Sequence, residues 1–229
     1  MAKVLVVTSG KGGVGKTTST AALGAALAKA GKNVVVVDFD VGLRNLDIVM
    51  GAERRVVFDM INVIQGDAKL SQALIRDKRL ETLSILPASQ TRDKDALTSE
   101  GVEKVIAELR EKFDWVICDS PAGIERGERI EKHLLLTRYD PVRAARGDML
   151  SIEDVLEILS IPLLGIIPES QEVLRASNVG SPVTLSAPIS PPARAYLDAV
   201  RRLRGEEVPM TVPTDKVGLV ARLFGRRVA

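Results

Sequence analysis

A three-layer α/β/α fold around a mostly parallel sheet is the architecture this 229-residue sequence predicts. Two observations carry the prediction. Six short apolar runs lack polar alternation: VLVV (4–7), NVVVVD (33–38), LSIL (83–86), DWVICD (114–119), HLLLT (133–137) and PLLGIIP (162–168). Strands look like this when both faces of a parallel sheet are covered. Segments of helical periodicity lie between them, and such alternation builds right-handed crossovers.

In chain order, the first run enters the glycine-rich stretch GKGGVGKT (10–17) and then KTTSTAALGAALAKAG (16–31), a helix closed by Gly31. The second run opens into DFDVGLRNLD (38–47), a carboxylate-rich loop. SEGVEKVIAELREK (99–112) is an amphipathic helix ahead of the fourth run. SIEDVLEIL (151–159) begins with a capping-box pattern, Ser151 with Asp154 three residues on. ARAYLDAVRRLRG (193–205) is a further helix ending at a glycine. SPVTLSAPISPP (181–192) reads as a proline- and serine-rich loop, and VPMTVPTD (208–215) as a tether. The expected division is a body of 1–207 and a terminal segment of 208–229.

Composition removes several functions. Aromatic residues are 3% of the chain, too few for the stacking platforms of single-strand nucleic-acid binders, and a net charge of +2 does not ask for a polyanion. A single cysteine allows neither a disulfide framework nor an iron–sulfur cluster, and a single histidine excludes most imidazole metal sites. No apolar run approaches the roughly 18 residues of a spanning helix, and the N-terminus has no signal-peptide pattern. The expectation is a soluble cytosolic protein that does not bind nucleic acid.

Gly10, Gly15, Lys16 and Thr17 fit G-x-x-x-x-G-K-[ST] between a strand and a helix, the context a phosphate loop requires. Gly12, Gly13, Val14 and Thr18 complete the cradle, whose backbone N–H groups and helix N-terminus attract phosphate. Lys16 reaches the β- and γ-phosphates of a nucleoside triphosphate, and Thr17 places its hydroxyl on Mg²⁺. Asp119, at the end of an apolar strand, supplies the carboxylate that holds the metal through water. Asp38 and Asp40, two apart, project to one side of an extended chain. One could orient the attacking water and the other a metal-bound water. Taken singly, each aspartate also fits a turn or a solvated loop. Cys118 reads as core.

GKGGVGKTT with its early lysine, DFDVGLRNLD and CDSPAG together resemble the deviant Walker-A ATPases of the MinD/ParA type. MGAERRVVFDMINVIQGDA, LPASQTRDKDALT, HLLLTRYDP, RGDMLSIEDVLEIL and IIPESQEVLRASN extend the resemblance over nearly the whole chain, towards the septum-positioning branch. The resemblance implies an ATP-dependent homodimer in which Lys11 crosses the interface to the partner's phosphates, a cation supplied in trans. It implies ATP and Mg²⁺ as cofactors, Lys11 and Lys16 as catalytic cations, Asp40 as the residue orienting water and Asp38 as a supporting carboxylate. Residues 119–123 would form one switch. Arg44 and Asn45 lie in the other, where the activator MinE acts. Arg138, Pro168 and Glu169 would hold the base. Implied partners are the division inhibitor MinC, MinE and anionic lipid, with reversible peripheral attachment to the inner face of the cell membrane. A ParA-type partition ATPase and a catalytically impaired nucleotide-binding remnant are the alternatives.

The end of the chain can be read without the family. In DKVGLVARLFGRR (215–227) a helical wheel puts Val217, Val220 and Phe224 on one face with Leu223 beside it. Arg222 and Arg226 lie opposite. A short basic amphipathic helix of this kind suits a membrane surface, and the same pattern is found in helices that dock on protein. Two such segments in a dimer gain on the order of 10²–10⁴ by avidity.

One departure from the family stands out. After CDSPAGIE the chain passes through RGERIEK straight to HLLLTRYDP, roughly forty residues short of the family pattern. Residues 119–132 offer only Ile124 and Ile130 as large apolar side chains, too few for a crossover helix that covers a sheet face. In the family the missing strand lies beside the phosphate-loop strand. Its loss predicts either an exposed sheet edge or residues 133–137 taking the vacated place.

Overall fold

The computed structural model describes residues 2–42, 45–89, 96–120 and 131–214. Seven strands are formed among the described residues: β1 (Lys3–Val7), β2 (Val34–Asp38), β3 (Ile75–Arg76), β4 (Leu83–Leu86), β5 (Trp115–Asp119), β6 (Leu134–Tyr139) and β7 (Leu163–Pro168). The helices among the described residues are α1 (Lys16–Lys29), α2 (Leu46–Val49), α3 (Met60–Gln65), α4 (Leu70–Ala73), α5 (Ser99–Lys112), α6 (Pro141–Ala145), α7 (Ile152–Leu159), α8 (Gln171–Asn178), α9 (Val183–Ser186) and α10 (Pro191–Leu203). All six apolar runs became strands. The stretch read as a proline- and serine-rich loop holds α9 and the start of α10, because proline suits the first turn of a helix.

Local chemistry sets the boundaries. Ser151 caps α7 and exchanges hydrogen bonds with Asp154, each 3.0 Å, as the capping-box pattern requires. Asp59 and Asn62 do the same for α3, a box the sequence reading passed over. Gly24 lets α1 lie close on the sheet, since a Cβ there would come within 2.5 Å of the Val36 side chain.

The sheet is split. One part has five strands in the order β1-β5-β2-β4-β3, parallel except for the β3–β4 pair, and the other is the parallel pair β6-β7. A shared helical layer joins them, with α1 on the first sheet, α10 on β7, and α1 packed against α10. This layer and the inner side chains of both sheets form the largest core, including Leu27, Val36, Ile117, Ile167 and Tyr196. On the opposite face α3, α4 and α5 close a second core over Val35, Val37, Val116 and Cys118. On that same side α6 and α7 close a third over Tyr139 and Ile166 of the small sheet.

Of the two outcomes expected from the shortening, the structure has the exposed edge. Among the described residues β1 pairs with β5 alone, while β6 pairs with β7. Val4 and Val6, in register with Val116 and Cys118, point to the α5 side yet remain 43% and 47% exposed. Leaving a valine half-exposed forgoes on the order of 1 kcal/mol of burial.

Candidate nucleotide site

The site is built on the carboxyl ends of β1, β5 and β2, where a parallel sheet gathers its loops. Strand β1 delivers residues 8–15, and α1 begins at Lys16 with Gly15 as N-cap and no side chain closing its amide donors. Gly13 (φ 74°) and Gly15 (φ 98°) are left-handed, a conformation that favours glycine. A Cβ added at Gly10, Gly12, Gly13 or Gly15 would meet no atom within 4 Å, so the concave side of the loop is open. Lys11 is exposed, and Lys16, Thr17 and Thr18 are half-buried. The Thr137 hydroxyl donates to the Val14 carbonyl at 2.8 Å, fastening β6 to the loop.

The carboxylates sit directly beside this cradle. The parallel register pairs Asp38 with Asp119 across β2 and β5, and Val7 with Asp119 across β1 and β5. Burial pushes the Asp38 carboxyl up to about 7, the nearby Asp119 and Asp40 adding to it. Opposing this, Asp38 Oδ1 accepts the Asp40 N–H at 2.9 Å and Oδ2 the Leu46 N–H at 3.2 Å. Both Asp38 oxygens thus engage the backbone that follows β2. Asp40, expected on the same side of an extended strand, lies beyond the end of β2 and is half-buried. Burial also raises Asp119, opposed by the Thr17 hydroxyl and the Lys16 charge. Asp119 Oδ1 is buried without a hydrogen-bond partner. An orphaned carboxylate oxygen next to Thr17 and an open cradle fits a hydrated Mg²⁺ with its phosphates. Cys118, its thiol pushed up to about 12 by burial, is core as expected.

The residues expected at the base come together at the ends of β6 and β7. Arg138 has φ 56°, uncommon for a non-glycine, and donates to Glu169 at 3.1 Å. Pro168 pairs in register with Tyr139, whose carbonyl accepts the Glu169 N–H at 3.0 Å. Asn45 is exposed at the start of α2. Arg44, residues 121–123 and Val217, Val220, Leu223 and Phe224 lie outside the described residues.

Two features escaped the sequence reading. Thr137 lies in an apolar run, where a threonine is unremarkable. Arg79 is half-exposed, forms an ion pair with the buried Asp77 at 2.6 Å, and donates to the carbonyls of Met50 and Gly180 at 3.0 and 3.1 Å. It clamps the end of α2 to the turn after α8, where Gly51 and Gly180 approach too closely for any Cβ.

Comparison with known proteins agrees with this geometry. The CobQ/CobB/MinD/ParA nucleotide binding domain matches residues 5–183. The septum site-determining protein MinD of Escherichia coli K12 is 54% identical over 270 residues, covering 98% of this chain and all of that one. The chain belongs to the MinD family. That alignment runs to 270 positions against 229 residues here, so this MinD-family chain is internally shorter than that relative. The MinC:MinD cell division complex of Aquifex aeolicus has a chain 35% identical with TM-score 0.81, over 92% of this chain and 99% of that one. MinD of Pyrococcus horikoshii OT3 complexed with Mg-ADP is 26% identical with TM-score 0.74, over 89% and 96%. Among the described residues no helix is long and apolar enough to cross a membrane.

Proposed function

We propose that this chain is an ATP-hydrolysing switch that dimerises with ATP, attaches to anionic membrane and positions the division septum through MinC, with MinE triggering release. The observation that carries the reading is the buried, unpartnered Asp119 oxygen beside the open glycine cradle. Residues 10–17 grip the triphosphate through backbone amides, and Lys16 answers the β- and γ-phosphate charge. Mg²⁺, when bound, neutralises phosphate charge, with Thr17 and Asp119 as its protein-side supports. Asp38 holds the backbone after β2 through its two accepted hydrogen bonds, which leaves Asp40 to orient the attacking water. Lys11, which is exposed, answers the phosphates of a second subunit in this reading. Arg138, Pro168 and Glu169 frame the base. MinE meets the segment containing Arg44 and Asn45, and the terminal helix, with Val217, Val220, Leu223 and Phe224 on its apolar side, enters the lipid. The Pyrococcus relative with Mg-ADP and the Aquifex complex with MinC support the nucleotide and the partner.

The test is ATP turnover by the full chain with Mg²⁺, with and without anionic vesicles and MinE. The expected result is a low basal rate that rises with both. Lys16→Ala should lose at least about 10²-fold and Asp40→Ala a similar factor with nucleotide binding retained. A rate no higher than that of Lys16→Ala, or one stimulated by DNA and indifferent to vesicles, overturns the proposal.

A further inference from the structure

The bare valines of β1 and the path of the chain after α10 point to one another. Val4 and Val6 lie on the side of the sheet that α5 covers over β5 and β2 and that α7 covers over β6 and β7. Among the described residues no helix of that side covers Val4 or Val6, which stay exposed. Helix α10 lies on the opposite layer, yet the chain does not stay there. The Arg202 guanidinium donates to the carbonyls of Val208 and Pro209 at 2.9 and 2.6 Å, and also to Leu164 at 2.8 Å. Met210 then packs into the third core with Leu136, Tyr139, Ile152 and Ile166. The segment read as a tether is therefore pinned at its start and steered round β7 to the face that holds Val4 and Val6.

We infer that the strip over Val4 and Val6 is the docking surface for this chain's own terminal segment, residues 215–227, through Val217, Val220 and Phe224. Residues 211–214 can extend up to about 14 Å, close to three strand spacings, which is the reach the inference requires of them from Met210. A helix of its length runs about 20 Å. Its wheel puts the apolar side chains on one face and Arg222 and Arg226 on the other, so docking buries the valines of both partners and leaves the arginines in water. The strip is apolar and unpaired along β1, the surface a crossover helix would otherwise cover. The inference uses the amphipathic pattern of the tail and not the lipid reading. If both hold, lipid and β1 compete for one apolar face.

The experiment is disulfide formation in the full chain, without nucleotide or lipid, in the variant carrying Val4→Cys and Phe224→Cys. Val4 lies opposite Val116 in the register, so buried Cys118 does not face the new thiol. The control pairs Phe224→Cys with Ile189→Cys, at an exposed position ahead of α10 on the other layer. The expected result is an intramolecular disulfide at least about tenfold faster in the first pair, because docking raises the effective concentration there beyond what the tether gives to both pairs. Adding Val217→Asp and Val220→Asp should abolish that advantage. Equal rates, an advantage that survives the aspartates, or disulfides joining two chains overturn the inference, the last assigning the strip to a second copy. None of these outcomes alters vesicle binding, so failure here leaves the lipid reading to its own test.

Discussion

The two sheets of this molecule are made of similar apolar runs and meet very different fates. In the five-stranded sheet β2 is buried along its whole length between two helical layers. The β6–β7 pair is half-buried along most of β6, with a break in register, and among the described residues it is tied to the larger sheet through the shared helical layer and the Thr137 hydrogen bond. Strand β1 belongs to the first sheet on one side and borders the second on the other, and it is bare where the crossover is short. Cohesion thus resides in β2, β4 and β5, while the proposed nucleotide site draws on both parts: the glycine loop and carboxylates from the large sheet, and Arg138, Pro168 and Glu169 from the small one.

Several measurements sharpen or break this contrast. The largest expected effect is a pH dependence in the large sheet. Burial lifts the Asp38 carboxyl from its ordinary 3.8 to about 7 in the folded protein, so the folded state holds its proton more tightly. That contribution is complete below about 3.8 and is lost as pH rises through about 7, on the order of 4 kcal/mol. Denaturant unfolding of nucleotide-free protein between pH 4 and 8 should show the loss in the wild type and a smaller one in Asp38→Asn, which keeps the raised Asp119. Removing the Arg79 clamp by Arg79→Ala leaves Asp77 buried without its cation and should cost about 3 kcal/mol. Val36→Ala should cost about 2–3 kcal/mol and Val6→Ala less than about 1, read from the same unfolding curves. Equal costs would erase the distinction between covered and bare strands. The smallest effect is expected at the bridge between the sheets: Thr137→Val should cost about 1 kcal/mol and weaken nucleotide binding by a few-fold.

Much of this was legible in the residues themselves. The six apolar runs specified six strands because burial on both faces leaves no polar alternation to blur the signal. The phosphate loop, Thr17 and Asp119 were readable because glycine conformation and metal chemistry restrict residue type. The count of residues between Asp119 and β6 left two outcomes open, an exposed edge or residues 133–137 in the vacated place, and the structure shows the first among the described residues. Short helices such as α2, α4, α6 and α9 were not readable, since four or five residues carry almost no periodicity. Nor was the Arg79 clamp, whose partners at Met50 and Gly180 are backbone carbonyls far away in sequence. The path of residues 208–210 was hidden for the same reason: Arg202 holds them by their carbonyls, whatever their side chains.

The central claim is that triphosphate bound in one subunit is answered by Lys11 of another. Light scattering coupled to size-exclusion chromatography, with saturating ATP and Mg²⁺ on an Asp40→Ala background that slows hydrolysis, tests it most directly. The account predicts twice the monomer mass with ATP, the monomer mass with ADP, and the monomer mass with ATP once Lys11→Ala is added. A single-subunit mass under saturating ATP, or a dimer that survives Lys11→Ala, would contradict it.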